Sequence, residues 1–162
     1  MQPTNKVQKI KPKRILGVDF GLKRLGLAVS DERKIIAVPL LTFHAEPRSE
    51  QTITKFMNWL EDLQQTRECE IERIIVGLPL MMSGKTGLLA DEVKHFIHLL
   101  SQSTTIPIQT WDERLTTVQA ERSLRESNLT RKKRTKVVDQ VSAVIILQSY
   151  LDSQNLLSND II

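Results

Sequence analysis

The sequence is poor in the residues that crosslink small domains or bind soft metal ions. Its 162 residues include one cysteine, Cys69, and three histidines. A single cysteine cannot form an internal disulfide, so we expect a reducing compartment. The histidines do not have the spacing of zinc ligands; they are His44, His95 and His98. A disulfide scaffold is therefore excluded, and nothing in the sequence indicates a zinc site.

Long apolar runs are missing as well. No stretch approaches the roughly 18 consecutive apolar residues of a membrane span. The N-terminus is polar and basic and lacks the apolar core of a secretory signal. Aromatic residues make up only 4% of the chain, which disfavours an extended platform for stacking nucleobases. These absences predict a cytoplasmic protein that does not associate with membranes.

Positive charge is present, and it is concentrated in two runs. The net charge is +4 and the sequence pI is about 9.3. Residues 5–14 and residues 131–136 each contain five basic residues and no acid. Either run alone is readily explained as a solvated segment. Because they lie on both sides of a core that contains acids, we favour an acidic partner such as nucleic acid.

The length of the chain is typical of one domain. We expect a flexible basic arm over residues 1–12, a single domain over residues 13–154 and a polar tail over residues 155–162. Three β-rich runs, "RILGVDF", "LGLAVSD" and "IIAVPLLTF", are joined by short loops. Because parallel neighbours need a long crossover, these three strands are predicted to form an antiparallel meander.

Helical periodicity begins at Ser49 and returns near Leu89, and each helix is followed by an apolar strand, "IERIIVGLP" and then "IPIQTW". Such crossovers predict that strands four and five are parallel. The predicted fold is α/β, with a mixed five-stranded sheet flanked by helices. A further helix is expected over residues 116–127. The last helix, about Thr135 to Ser153, is apolar all round and is expected to be buried.

Four acids stand at the predicted ends of these elements. Asp19 ends the first strand, Asp112 and Glu113 end the fifth, and Asp139 lies in the first turn of the predicted last helix. Each has an ordinary explanation when taken alone. Asp139 would complement a helix dipole, worth about 0.3–1 kcal/mol. Asp112 would cap a helix, and Glu113 would pair with Arg114.

As a set, these acids indicate a metal site. Open α/β sheets usually bind ligands at the carboxyl edge, where Asp19 and Glu113 are expected. Carboxylates crowded together raise each other's pKa unless a cation intervenes. Oxygen ligands suit Mg²⁺ or Mn²⁺. Two such ions, about 3.5–4 Å apart, stabilise the attacking and leaving oxygens of phosphodiester cleavage.

Basic residues adjoin these acids along the sequence. Lys23 and Arg24 follow Asp19, Arg114 follows Glu113, and a basic run precedes Asp139. Cations around an acidic centre can bind a phosphate backbone, with affinity that falls as salt rises. The predicted nucleic-acid contacts are Lys23, Arg24, Arg114 and Lys136.

Four ordered motifs carry a family resemblance that covers about Ile15 to Leu151. They are "LGVDFGLKRLGLAVSD", "IIVGLPLMMSGKTG", "DERLTT" and "KVVDQVSAVIILQSYL". Together they resemble the YqgF family of pre-16S rRNA nucleases, which is related to Holliday-junction resolvases. The resemblance implies a ribonuclease H-like fold and divalent-metal hydrolysis of phosphodiester bonds, in processing of the 5′ end of pre-16S rRNA.

The resemblance also implies roles for the acids. Asp19, Glu113 and Asp139 match the catalytic, metal-binding positions, and Asp112 is a further candidate ligand. Strand alternation puts Asp112 and Glu113 on opposite faces, so only one is expected to point into the site. Ribonuclease H-like enzymes commonly use a glutamate at that strand, and the resemblance therefore favours Glu113 as the ligand. The chain departs from the family in the loop over residues 79–87. Met81 and Ser83 stand there where Asn and Asp are frequent.

Other functions fit parts of the sequence. A Holliday-junction-type DNA resolvase and a non-catalytic RNA-binding ribosome-assembly factor remain alternatives. A P-loop at Gly84-Lys85-Thr86 is disfavoured because Pro79 occupies the position of the required glycine. Sugar-kinase or actin-like ATPases share the first motif but need a longer chain. The sequence does not distinguish RNA from DNA substrates, or a monomer from a homodimer.

Overall fold

The computed structural model describes residues 9–116 and 131–159, and in the second range its side chains from Gln140 onward. The strands are β1 (Lys13–Phe20), β2 (Arg24–Ser30), β3 (Ala37–His44), β4 (Glu70–Leu78) and β5 (Ile108–Asp112). The helices are α1 (Ser49–Thr66), α2 (Leu88–Ser103) and α3 (Arg131–Asn159), with a short 3₁₀ helix at Glu113–Leu115.

The five strands form one mixed sheet in the order β3-β2-β1-β4-β5. β2 pairs antiparallel with both β1 and β3, whereas β4 pairs parallel with both β1 and β5. This arrangement confirms the predicted fold. Because β1, β4 and β5 run in the same direction, their last residues meet at one edge of the sheet, called the carboxyl edge below.

Helices cover both faces of the sheet. Strand alternation sends Leu16 and Val18 of β1 to one face, where they pack in a core with α1 and α2. Ile15 of β1 points to the other face, where it packs with Ile75 against α3. The buried residues of α3 in this second core are Ala143, Ile146, Leu147, Tyr150 and Leu151. No helix in the described ranges is long and apolar enough to cross a membrane.

α3 lies unusually close to β1 because Gly17 has no side chain. A Cβ added at Gly17 would lie 2.7 Å from the Cβ of Leu147 and 3.2 Å from the carbonyl oxygen of Ala143. Those distances are too short for a real methyl group. Gly17 therefore allows α3 to pack this close to β1.

The structure corrects two expectations about the last helix. α3 begins at Arg131, so Asp139 lies about two turns into it and the first turn holds no acid. The helix-dipole explanation of Asp139 is therefore wrong, because that effect is confined to the first turn. Burial on all sides is also wrong for the described side chains: Val144 and Ile145 are only half-buried. α3 packs on the sheet through one face.

Three other expectations concern the C-terminal tail, the helix after β5 and the N-terminal arm. α3 continues to Asn159 and includes residues 155–159 of the expected polar tail. The helix expected over residues 116–127 lies, apart from Thr116, outside the described residues. The same holds for most of the basic arm, although residues 9–12 lead directly into β1.

Candidate active site

Asp19 is delivered to the carboxyl edge by the central strand. It is the next-to-last residue of β1 and lies opposite Gly26 of β2. Because its neighbour Val18 packs in the α1–α2 core, alternation places Asp19 on the face covered by α3. The carboxylate is half-buried, so it lies at the rim of the apolar core with some access to solvent.

Glu113 reaches the same face from the end of β5. It is the first residue of the 3₁₀ helix, and its side chain folds back over Gly77 of β4. A Cβ added at Gly77 would clash with Oε1 of Glu113 and with Cδ1 of Ile146 in α3. A glycine inside a strand often marks such a close approach. Gly77 thus provides the space that the glutamate occupies.

The sheet register brings the two acids close together, because Val76, the residue before Gly77, pairs with Val18, the residue before Asp19. The pKa of Glu113 reflects this arrangement. Its pKa is raised from the ordinary 4.5 to about 7. Burial is the largest cause, followed by the negative charges of Asp19 and then Asp112. Without a cation, burial and the nearby charges thus disfavour the ionised form of Glu113.

Half-buried carboxylate oxygens with this repulsion fit a hard divalent cation such as Mg²⁺ or Mn²⁺. Among the side chains that the structure describes, no group of three His, Cys, Asp or Glu residues is arranged to hold a metal ion. Asp19 and Glu113 supply two carboxylates. The side chain of Asp139 lies outside the described side chains, although its place in α3 is given.

Asp112 has different surroundings from its neighbour Glu113. One carboxylate oxygen, Oδ1, accepts a hydrogen bond from the backbone nitrogen of Arg114 at 3.0 Å and so caps the 3₁₀ helix. The Arg114 guanidinium also binds this carboxylate, and these hydrogen bonds hold the pKa of Asp112 below its usual range. The structure therefore places Glu113 beside Asp19, and Asp112 against Arg114.

Two of the other predicted nucleic-acid contacts, Lys23 and Arg24, lie at the carboxyl edge. Lys23 is exposed in the turn between β1 and β2. That turn is closed by a 2.8 Å hydrogen bond from the nitrogen of Gly21 to the carbonyl oxygen of Arg24. Arg24 is half-buried and starts β2. The side chain of Lys136 lies outside the described side chains.

Sequence reasoning missed three residues that shape the site. Gly77 and Ile146 enclose Glu113, and Gly84 lies beside Arg114, where a Cβ would come 3.6 Å from Nη1. The glycine within the apolar run "IIVGLP" was an available signal, since glycine weakens a strand unless something must approach it closely. The contacts of Ile146 and Gly84 depend on tertiary packing and leave no local pattern.

The fold and the site together define a class. A mixed sheet in this order, with helices on both faces and acids at its carboxyl edge, is the ribonuclease H-like fold. Two solved resolvases share this fold, each with a low sequence identity. Thermus thermophilus RuvC in complex with a Holliday junction substrate aligns with a TM-score of 0.53 at 12% identity, over 88% of this chain and 95% of that chain. The fowlpox virus Holliday junction resolvase aligns with a TM-score of 0.52 at 15% identity, over 86% and 99%.

The family itself is shown by sequence. The model of the family described as "RuvX: Holliday junction resolvase" matches residues 13–153, and the chain belongs to that family. This confirms the resemblance carried by the four motifs. Its members are nucleases, which are hydrolases of phosphodiester bonds.

Curated relatives match along nearly their whole length. A protein of Protochlamydia amoebophila (strain UWE25) named "Putative pre-16S rRNA nuclease" is 70% identical over 146 residues, which are 90% of this chain and 97% of the relative. A protein of the same name from Halothermothrix orenii is 42% identical over 148 residues, covering 89% and 98%.

Proposed function

We propose that this protein is a Mg²⁺- or Mn²⁺-dependent nuclease that processes the 5′ end of pre-16S rRNA in the cytoplasm. The observation that carries the proposal is the carboxylate of Glu113, which lies over Gly77 with its pKa raised by burial and by Asp19. The names of the relatives in Protochlamydia and Halothermothrix support the choice of substrate.

In this proposal Asp19, Glu113 and Asp139 hold the metal ions. The contacts of Gly17 with α3 support the third ligand: Ala143 lies over Gly17, and Asp139 precedes Ala143 by one helical turn, a rise of about 6 Å. Asp19 follows Gly17 by two strand residues, about 7 Å. α3 runs antiparallel to β1, because Gln148 accepts a hydrogen bond from Ala37 at the opposite end of the sheet. Position 139 of α3 therefore lies toward the same end of the sheet as Asp19.

Each group then has a defined task. Divalent ions held by these carboxylates would activate the attacking water and stabilise the leaving oxygen. The carboxylates orient the ions. The buried side chain of Ile146 in α3 lies beside Glu113 and limits the access of water between α3 and the sheet. Lys23, Arg24, Arg114 and Lys136 bind the phosphates of the substrate strand and bring the scissile phosphate to the acids.

Holliday-junction resolution is the second candidate, because the family description names it. The two candidates are separated by offering the protein both substrates: a precursor 16S rRNA fragment and a four-way DNA junction, each with Mg²⁺, with Mn²⁺ or with EDTA. We expect cleavage of the rRNA precursor near its mature 5′ end, dependent on the metal. Cleavage of the junction alone would contradict the proposed substrate.

The same assay tests the catalytic acids. Asp19→Asn removes a ligand charge with little change of shape and is expected to abolish cleavage while RNA binding persists. Asp62→Asn is the matched control, because Asp62 is exposed on α1; its activity should equal that of the wild type. Full activity of Asp19→Asn, or an RNA-binding protein that cleaves nothing, would overturn the nuclease assignment.

A further inference from the structure

The side chain of Arg114 is held by both oxygens of one carboxylate. Its Nε lies 3.0 Å from Oδ1 and 2.9 Å from Oδ2 of Asp112, and its Nη2 lies 2.5 Å from Oδ2. The backbone nitrogen of Arg114 donates to Oδ1 as well. Asp112 therefore fixes both the backbone and the guanidinium of the residue two positions after it.

The opposite edge of the guanidinium remains available. Within the described ranges no residue accepts a hydrogen bond from Nη1, and 35% of the Arg114 side chain is exposed. Nη1 faces the turn at Gly84, where an added Cβ would lie 3.6 Å away. The guanidinium thus lies between a carboxylate that grips one edge and a turn that borders the other.

The turn at Gly84 is itself well defined. The nitrogen of Gly84 donates to the carbonyl oxygen of Met81 at 2.8 Å, and the nitrogen of Met81 donates to that of Lys85 at 3.0 Å. Gly84 has a φ of 78°, in the left-handed region that glycine adopts without strain. An isolated bridge between Leu80 and Thr86 closes the loop below it.

We propose that Asp112 is a positioning residue, and that it holds Arg114 with its Nη1 edge free to bind a backbone phosphate of the nucleic acid. This role replaces metal ligation by Asp112. It rests on the proposed function only in requiring a nucleic-acid substrate. A guanidinium fork binds phosphate in a planar, directed way, and Arg114 lies in the 3₁₀ helix at the end of β5, so the bound phosphate would lie at the carboxyl edge.

Two opposing effects decide what Asp112 contributes. Its negative charge weakens the attraction of Arg114 for phosphate, but salt screens that effect at an exposed site. Its hydrogen bonds restrict the rotamers of the Arg114 side chain before the nucleic acid binds. Without them, the entropy lost in ordering this side chain would be a cost of association. At moderate salt, the ordering of Arg114 outweighs the screened repulsion between Asp112 and the phosphate. Loss of the Asp112 carboxylate should therefore weaken nucleic-acid binding.

The test measures binding of a fluorescein-labelled RNA by anisotropy in EDTA, where nothing is cleaved. Asp112→Asn is the informative variant, because asparagine still caps the 3₁₀ helix but offers one acceptor and no charge to the guanidinium. We expect its affinity to fall about two- to fivefold, the range for an exposed ion pair. Unchanged or tighter binding by Asp112→Asn would overturn the proposal.

Coupling to Arg114 distinguishes positioning from a general effect. Arg114→Met should weaken binding and reduce the slope of log K against log salt by about 0.7, the value for one phosphate contact on a single strand. In that background Asp112→Asn should change nothing further. An equal additional loss in the double variant would show that Asp112 does not act through Arg114.

A metal titration separates positioning from ligation. The Mn²⁺ concentration that gives half-maximal cleavage should be the same for Asp112→Asn and the wild type, whereas a tenfold rise would make Asp112 a ligand. Glu72→Gln is the matched control: the Glu72–Lys34 pair, at 2.6 Å, is 29% and 36% exposed, against 32% and 35% for Asp112 and Arg114. Glu72 lies near the start of β4, away from the carboxyl edge, so this variant should bind RNA as the wild type does.

The binding experiments stand apart from the proposed function. If the wild type cleaves neither substrate, the nuclease assignment fails, but the anisotropy measurements in EDTA still decide whether Asp112 acts through Arg114. If the wild type cleaves and Asp112→Asn binds RNA normally, the positioning role fails and the nuclease assignment stands.

Discussion

At the scale of single residues, Asp112 and Glu113 show how one strand end gives two carboxylates opposite properties. Hydrogen bonds from Arg114 lower the pKa of Asp112, while burial and the charge of Asp19 raise that of Glu113 to about 7. The sequence predicted that the two side chains would point to different sides. The ordinary explanation of Glu113, a pair with Arg114, is wrong for the guanidinium, which binds Asp112 instead. That choice depends on the 3₁₀ turn that follows β5.

The raised pKa of Glu113 makes stability depend on pH. The unfolded chain releases this proton near pH 4.5 and the folded protein near pH 7. Between these values the folded state binds more protons, so the stability contributed by Glu113 falls as pH rises and stays low above pH 7. Allowing for partial access of solvent, we expect a loss of about 1–3 kcal/mol.

Urea denaturation in EDTA at pH 4.5 and pH 8 measures this effect as a difference between wild type and Glu113→Gln. Glutamine cannot ionise, so the free energy of unfolding of Glu113→Gln relative to that of the wild type should be about 1–3 kcal/mol higher at pH 8 than at pH 4.5. Excess Mg²⁺ or Mn²⁺ should reduce the gain, because a cation stabilises the ionised acid. An equal difference between the two proteins at both pH values would contradict the raised pKa.

Gly77 provides a second test at this scale. Gly77→Ala introduces a methyl group into the space taken by Glu113 and Ile146. Overpacking of this kind costs about 1–3 kcal/mol, and displacement of the glutamate should reduce cleavage more than it reduces RNA binding. Gly87→Ala is the control, since nothing lies within 4 Å of its added Cβ. A Gly77→Ala protein with wild-type stability and activity would show that Glu113 does not need this space.

At the scale of elements, the lengths of the connections predicted the sheet correctly, whereas the apolar pattern predicted the wrong start and the wrong burial for the last helix. Short connections predicted the antiparallel pairing of β1, β2 and β3, and helical crossovers predicted the parallel pairing of β4 and β5. The start of α3 was missed because residues 131–134 are all basic and interrupt the apolar pattern, although Lys and Arg are good helix formers. The half-burial of Val144 and Ile145 was missed because apolar composition alone does not tell which face of a helix meets the sheet.

Contact between α3 and β1 is the element-level feature that would place Asp139, the third proposed ligand. Gly17→Ala places a methyl group against Leu147 and the backbone of Ala143, so the helix must shift outwards. We expect a loss of about 1–3 kcal/mol in stability and a several-fold rise in the Mn²⁺ needed for cleavage, since Asp139 moves with α3. Loss of stability with an unchanged metal requirement would indicate that α3 carries no ligand.

At the scale of the whole molecule, the excess of positive charge is expected to act at the carboxyl edge. Lys23 is exposed in the β1–β2 turn, close in sequence to Asp19. Lys23→Ala should weaken binding to all RNA sequences alike and reduce the salt slope by about 0.7–0.9. Lys13→Ala removes the same charge at the start of β1, the opposite end of the strand, and should leave the slope nearly unchanged. Equal effects from both variants would mean that net charge, and not a placed contact, governs binding.

The central claim at this scale is that acids far apart in the sequence meet around shared divalent ions. Anomalous diffraction from crystals grown with Mn²⁺ tests it most directly. We expect manganese peaks at the carboxyl edge, within about 2.0–2.3 Å of carboxylate oxygens of Asp19, Glu113 and Asp139. Peaks elsewhere, or carboxylates of Asp19 and Asp139 too far apart to bind one ion cluster, would contradict it.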